Sequence, residues 1–265
     1  MTISTQNPTR RQAQVLLLIE SPQEKATAVR RLGTDTSGID PSEIITRRTG
    51  IPGRPARPVL VHPSQLKTRA PGTLDGRASL IHALAHIEAN AVNLALDLLW
   101  RFDGMPERFY LDWLQVAREE ALHFQLLDQH LNDMGFTYGD FPAHDGLWEM
   151  AERTQDDLLA RLALVPRTLE ARGLDATPTI KNKLISVGDR QGADILDIIL
   201  RDEIGHVAIG NHWYRHLCTF RGLDHISTYA TLSKMYGAKA LKGPFNLAAR
   251  RAAGFDEVEL ALLSA

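Results

Sequence analysis

Two short segments of the chain each place a glutamate three residues before a histidine. One reads R-E-E-A-L-H and contains Glu120 and His123, and the other reads R-D-E-I-G-H and contains Glu203 and His206. Residues three apart on an α-helix lie on the same face. Each segment can therefore aim one carboxylate and one imidazole at the same point.

Two further glutamates interrupt apolar helical patterns and complete a ligand set. Burying a carboxylate is costly unless it is paired or bound to a metal. One glutamate from each of two helices, with a Glu-x-x-His pair from each of two others, is the ligand set of a dinuclear carboxylate centre in a four-helix bundle. Taken singly, each of these residues could equally be an ordinary surface or salt-bridge residue. Taken together, we predict that the metal ligands are Glu88, Glu120, His123, Glu170, Glu203 and His206.

The donor atoms of this set indicate which metals it would bind. Oxygen-rich ligation with one imidazole per metal suits iron or manganese better than structural zinc. We therefore expect two Fe ions, with Mn or a mixed Fe/Mn pair as alternatives. Glu119 and Asp202 each directly precede a predicted ligand. They are candidates to orient the histidines, or else solvated helix charges.

The elements that must position these residues are four long helices. Helical spacing predicts them at about residues 77–102, 107–134, 146–172 and 189–220, with residues 136–145 as a non-helical crossover. The tight turn at Gly104 makes the first two helices antiparallel. Glu88 lies sixteen residues before Gly104 and Glu120 lies sixteen after it, so the two carboxylates should be level.

The third helix departs from this symmetry in the sequence. We expect Pro166 to kink it, Gly173 to end it, and a separate short helix to begin at Thr177-Pro178. Glu170 would then lie close to a helix end. Equal spacing about a turn consequently does not predict that Glu170 and Glu203 lie at the same level.

The sequence predicts that the chain has three parts. Residues 1–75 would form a helical segment and an extended arm on the bundle, residues 76–222 the bundle, and residues 223–265 a C-terminal helical extension. Many prolines forbid a long helix in the arm. The arm could contact a phosphate-bearing substrate or be a solvated strap. Its basic residues are Arg47, Arg48, Arg54, Arg57, Lys67 and Arg69.

Composition agrees with a helical protein and excludes several classes. The chain has 265 residues, 44% of them hydrophobic and only 6% aromatic, which favours an all-α fold. A net charge of −2 requires neither nucleic acid nor an anionic membrane as partner. Cys218 is the single cysteine, so a thiolate metal cluster is excluded. Met1–Arg11 lacks the apolar core of a signal peptide and no apolar run spans a bilayer, so we expect the cytoplasm.

Four fragments carry a resemblance to a known superfamily. They are H-I-E-A-N-A-V-N-L-A-L-D around Glu88, R-E-E-A-L-H-F, P-R-T-L-E-A-R-G-L-D around Glu170, and R-D-E-I-G-H. Over about residues 77–221 the chain resembles the ferritin-like superfamily, and within it an uncharacterised bacterial domain-of-unknown-function family. The E-A-R string that starts at Glu170 is similar to the bacterial tRNA hydroxylase that acts on methylthio-isopentenyl adenosine.

The resemblance implies a ferritin-like four-helix bundle with a long crossover and a di-iron centre at the six residues given above. Several members have an arginine directly before the last histidine, whereas this chain has Gly205. The superfamily contains oxygenases, desaturases, oxidases, peroxidases and iron stores, so fold and ligands alone do not select a reaction.

We predict an O2-dependent oxidoreductase, a hydroxylase or oxidase, acting on an unidentified substrate. That substrate could be a small molecule or a modified nucleotide, and the electron donor is unknown. We expect no membrane partner. The chain could form a homodimer. An iron-handling ferroxidase, storage or peroxide-scavenging protein is one alternative. A non-catalytic helical binding protein is the other.

Overall fold

The structure is a computed structural model, and it describes residues 9–33 and 38–263. Over these ranges the chain forms helices and loops with no named strand, and Leu60 and Ala143 form an isolated bridge. The all-α prediction is thereby confirmed. No helix within the described ranges is long and apolar enough to cross a membrane. Most of the segment predicted to lack a signal peptide, residues 1–8, lies outside these ranges.

The chain divides into two compact units, Met1–Gly146 and Leu147–Ala265. This boundary falls within the predicted bundle at residues 76–222. The predicted three-part division, part of which covers residues outside the described ranges, stays a prediction. Each unit is described by itself below.

The first unit begins with two short helices and the arm. Helix α1 spans Arg10–Leu17, and α2 spans Pro22–Arg30 behind an N-cap at Ser21, as the Ser-Pro pair predicts. From residue 38 onward the arm is irregular apart from a short 3₁₀ turn at Pro63–Gln65. Its prolines explain the absence of a longer helix.

A long antiparallel hairpin forms the body of the first unit. Helix α3 spans Leu74–Arg101 and α4 spans Glu107–Asp133. The predicted start of α3 at residue 77 was late, because the Thr73 hydroxyl accepts the Gly76 N–H at 3.0 Å and caps the helix earlier. Gly104 has φ +75°, which glycine adopts without strain, and it makes the turn.

Residues 136–145 are irregular, as predicted, and they pack on the arm. The Ala143 N–H donates to the Val59 carbonyl at 3.1 Å, and the Val61 N–H donates to the Ala143 carbonyl at 2.8 Å. The Tyr138 ring stacks on His82 with centroids 5.2 Å apart. This segment therefore closes over the face of α3 that carries His82.

The predicted continuous helix at residues 146–172 is wrong. The chain forms α5 at Gly146–Arg153, α6 at Leu158–Leu164 and a π-helical turn at Val165–Glu170. Asp157 breaks the run because its carboxylate accepts the Ala160 N–H at 3.1 Å and starts α6 afresh. Pro166 lies in the π-helical turn, and the Thr168 hydroxyl donates to the Ala163 carbonyl at 2.7 Å.

The predicted stop at Gly173 and the predicted cap at Thr177-Pro178 are also wrong. Helix α7 runs from Ala171 to Ser186 with Pro178 inside it. A proline inside a helix leaves the carbonyl four residues earlier without its N–H. Here the Asn246 side chain donates to that carbonyl, on Leu174, at 3.2 Å. A residue far along the chain therefore allows the helix to continue.

Helix α8 spans Arg190–Phe220 and pairs with α7 around Gly188, whose φ is +82°. Asp189 caps α8, close to the predicted start of this helix. Glu170 consequently lies within a long helical run, eighteen residues before Gly188, and Glu203 lies fifteen residues after it. By spacing about this turn, Glu170 is therefore level with His206, eighteen residues after Gly188, and not with Glu203.

The C-terminal part contains three shorter helices. Helix α9 spans His225–Met235. The tail contains two helices, α10 at Leu247–Ala252 and α11 at Glu257–Leu263. Asn246 caps α10 through its side-chain oxygen, which splits the tail.

Candidate metal centre

The first unit brings three of the predicted ligands into contact. Nδ1 of His123 lies 3.2 Å from Oε2 of Glu88 and 3.4 Å from Oε2 of Glu120. Each residue offers one ligand atom within 4.8 Å of the others. Their exposed fractions are 4% for Glu88 and 0% for the other two. This is a buried cluster that could hold a metal ion.

Burial of this cluster costs free energy unless a cation is bound. Burial, and then the charge of Glu120, raise the pKa of Glu88. Burial alone would lower the pKa of His123, but the hydrogen bonds and charges of Glu120 and Glu88 together raise it. Without a cation, Glu88 and His123 therefore retain protons that they must lose to bind a metal.

Local sequence explains how the first unit builds this geometry. Glu88 sits on the buried stripe of α3, and Glu120 and His123 sit on the buried stripe of α4. The tight turn at Gly104 sets the two helices antiparallel, which brings the Glu88 and Glu120 carboxylates to the same level as the spacing predicts.

The second unit holds the other predicted Glu-x-x-His pair on α8. Nδ1 of His206 lies 3.4 Å from Oε1 of Glu203, and the two residues are 1% and 7% exposed. The second oxygen of Glu203, Oε2, is buried and has no hydrogen-bond partner among the described residues. A buried carboxylate oxygen in that state fits a cation ligand.

Glu170 ends the π-helical turn of the second unit and is half-buried, with its Oε2 atom buried. Single-turn π-helices occur frequently at functional sites because they re-aim side chains. Sequence spacing alone did not predict this feature, because a proline in a helical pattern indicates a kink at least as strongly.

The two candidates for orienting the histidines lie nearer the surface. Glu119 accepts a hydrogen bond from Gln115 at 3.1 Å. Asp202 pairs with the exposed side chain of Arg201 at 2.8 Å. Their role toward His123 and His206 stays a prediction.

A second group of possible ligands has a different character. His225, Asp256 and Glu259 also place ligand atoms within 4.8 Å of one another. However, the guanidinium groups of Arg167 and Arg215 bind Glu259, and Arg215 also approaches Asp256. Two cations already neutralise this group, so it forms an ion-pair network and not a metal centre.

Comparison with known proteins places the chain in a family. The family model described as "Protein of unknown function (DUF455)" matches residues 18–261. The chain belongs to this family. A protein of Haemophilus influenzae named "Uncharacterized protein" is 45% identical over 262 residues, which cover 94% of this chain and 91% of the relative. No solved structure matches the chain.

Membership of DUF455 confirms the unknown-function family that the four fragments resemble. The names of the family and of the relative state no activity, so the ferritin-like assignment stays a prediction. The DUF455 match includes the whole of both Glu-x-x-His segments and both additional glutamates.

Sequence reasoning missed a group of buried polar residues in the first unit of this DUF455 chain. Lys25 is 4% exposed, Asn90 is 3% exposed, and Asn93 is 9% exposed. A signal was present, because His86, Asn90 and Asn93 are spaced to lie on one face of a helix. That face lies away from the predicted ligand Glu88.

Proposed function

We propose that this DUF455 protein binds two metal ions through carboxylates and imidazoles, and that it uses them to oxidise an unidentified substrate with O2. The observation that carries the proposal is the buried contact of His123 with Glu88 and Glu120. Buried carboxylates persist where a cation, a partner or a bound proton balances them.

In this proposal the ligands are the six residues that the sequence predicts. Glu88, Glu120 and His123 come from the first unit, and Glu170, Glu203 and His206 come from the second. Helices α3, α4, the run from α6 through α7, and α8 would be the four rods of a ferritin-like bundle, with residues 136–145 as the crossover. The like order Glu, Glu-x-x-His in both hairpins supports this assignment.

The donor chemistry fits iron or manganese. Four carboxylates balance the charge of two divalent ions, and one imidazole per ion leaves coordination positions for other ligands. Two such ions, when bound, would supply the electron pair that O2 reduction requires. Buried apolar side chains one turn away on α4, Val116 and Leu127, keep bulk water from the carboxylates.

Metal analysis of the purified chain tests the proposal. We expect about two Fe or Mn ions per chain, as the six-ligand set requires. Glu88→Ala and His206→Ala should each lose most of this metal, although they lie in different units. His212→Ala, an exposed histidine on α8, is the matched control and should keep it. Absence of metal after iron-sufficient expression, or equal retention in all variants, would contradict the proposal.

Iron titration then separates an oxidase from an iron store. Ferrous iron and O2 should be consumed in proportion to two ions per chain, with no further uptake. Continued uptake far beyond two irons per chain would indicate storage. Rapid loss of added peroxide would indicate a scavenging role.

A further inference from the structure

The first unit contains a cavity that the proposed metal chemistry does not use. Its volume is about 100 Å³, room for roughly three water molecules. Helices α2 and α3, the arm and the segment that contains Tyr138 enclose it. Its polar lining includes Lys25, Arg54, His86, Asn90, Asn93 and Tyr138.

This cavity lies on a different face of α3 from Glu88. In a helix of 3.6 residues per turn, His86, Asn90 and Asn93 each point roughly 140° or more away from Glu88. None of the six predicted metal ligands lines the cavity. The cavity is therefore a separate feature of the first unit, and its occupant need not contact the metals.

Two basic side chains, Lys25 and Arg54, and one carboxylate line the cavity. Lys25 donates to the Asn93 side-chain oxygen at 2.6 Å and to the Leu17 and Gly53 carbonyls at a longer 3.4 Å. Burial, and then the charge of Arg54, lower the pKa of Lys25 to about 7. The carboxylate of the lining belongs to Glu20, which is exposed. Near neutral pH the Lys25 amine is thus only partly protonated, and the oxygens that accept its hydrogen bonds are neutral.

Arg54 can contact a ligand without breaking its existing ion pair. Its guanidinium donates to Asp145 at 2.5 Å, the single side-chain hydrogen bond it makes within the described ranges. A guanidinium carries five N–H donors. Its side chain is 32% exposed, which puts it where a ligand would enter.

Asn90 adds an acceptor to this basic lining. Its amide nitrogen donates to the His86 carbonyl at 2.9 Å. Its Oδ1 atom is buried and has no hydrogen-bond partner among the residues that the structure describes. Leaving a buried acceptor unsatisfied costs free energy. A matching ligand would therefore donate a hydrogen bond as well as carry negative charge.

We propose that this cavity binds a small oxyanion that also carries a hydroxyl group, the chemistry shared by hydrogen phosphate and a short hydroxycarboxylate such as glycolate. The oxyanion contacts Arg54 and lies in the field of Lys25. Its hydroxyl donates to Oδ1 of Asn90. The cavity volume admits ions of this size.

Calorimetric titration of the full-length chain tests this proposal. Sodium phosphate and sodium glycolate are titrated separately, in a buffer without carboxylate or phosphate. We expect saturable binding of one or both, at one site per chain, which identifies the source of the oxyanion. We expect the same affinity in the chain as purified and after chelation of metals, because no predicted metal ligand lines the cavity. Binding that disappears on chelation would assign the oxyanion to a metal and overturn the proposal.

Three variants locate the site. Arg54→Gln should weaken binding about tenfold, since it removes a charge-assisted hydrogen bond. Asn90→Asp should weaken it more, because a carboxylate would repel the oxyanion. Arg48→Gln removes the same charge from an exposed part of the arm and should change the affinity less than twofold. If Asn90→Asp does not fold, Arg54→Gln and its control decide the outcome. Equal effects of the two arginine variants, or no binding of either ion to the unaltered chain, would refute the site.

Discussion

Pro166 packs directly on Gly210 in the second unit. A Cβ atom on Gly210 would lie 2.7 Å from the Pro166 Cβ, closer than side-chain carbons approach. This contact sets the register between the π-helical turn and α8. Glu170 lies one turn after Pro166 and His206 lies one turn before Gly210, so the two residues are level on antiparallel helices.

Gly210→Ala should therefore destabilise the chain. The added methyl group meets the proline ring, and overpacking of this kind typically costs about 1–3 kcal/mol. Chemical denaturation measures the loss in the free energy of unfolding. Gly205→Ala is the matched control on the same helix, because its Cβ would meet nothing within 4 Å. Alanine there should stabilise the helix by about 0.5–1 kcal/mol. Equal changes in both variants would show that the Pro166 contact does not set the register.

Metal loading should release protons, and metal affinity should rise with pH. The pKa values of Glu88 and His123 are both raised in the metal-free chain, for the reasons of burial and mutual charge given above. A group whose pKa is raised in the folded state stabilises the fold below its unfolded-state pKa. This stabilisation is lost as the pH rises through the folded-state pKa. The metal-free chain should thus lose stability as the pH rises above the ordinary histidine pKa of 6.5.

The metal-loaded chain should show the opposite trend over the same range, because fewer protons compete with the metal. The gap in Tm between loaded and metal-free protein should widen from pH 6.5 to pH 8. Calorimetry in buffers of different ionisation enthalpy measures the protons released. A gap that narrows with pH, or binding without proton release, would contradict a centre built on these two residues.

His82 should make the chain sensitive to mild acid. Its ring accepts the Gly139 N–H at 2.9 Å and stacks on Tyr138, and burial lowers the pKa of His82 to about 4. A lowered folded-state pKa gives stability that is present above pH 6.5 and lost as the pH falls toward 4. The loss attributable to one such histidine is on the order of 2 kcal/mol.

His82→Gln tests this effect because an amide oxygen can accept the same hydrogen bond but does not titrate in this range. The free energy of unfolding of this variant should fall less steeply between pH 6.5 and 4 than that of the unaltered chain. His212→Gln replaces an exposed histidine and should leave the slope unchanged. Identical slopes in all three proteins would show that His82 does not cause the loss of stability in acid.

Much of the first unit could be predicted because its signals are local. Thr73, Gly104 and Gly135 bracket two helices whose buried faces are mainly apolar. A tight turn leaves two such helices a single antiparallel arrangement. The contact between Glu88 and Glu120 follows from equal spacing about that turn.

The second unit could be predicted less well because distant residues override its local signals. Gly173 and Pro178 are reliable indicators of a helix end in most sequences. Here Asn246, from the loop before α10, supplies the hydrogen bond that Pro178 cannot, and the helix continues. Because the helix continues, Glu170 lies in the middle of a helical run and not at a helix end.

The amino-acid sequence by itself determined the helical class, the hairpin of the first unit and the set of carboxylate and imidazole donors. These depend on spacing, capping and turn residues, whose effects reach only a few positions along the chain. Tertiary structure alone decided the path of α7 and the polar cavity beside α3. There Lys25, Arg54 and Asn90 come from three separate segments, and their burial and charge balance exist only once those segments pack together.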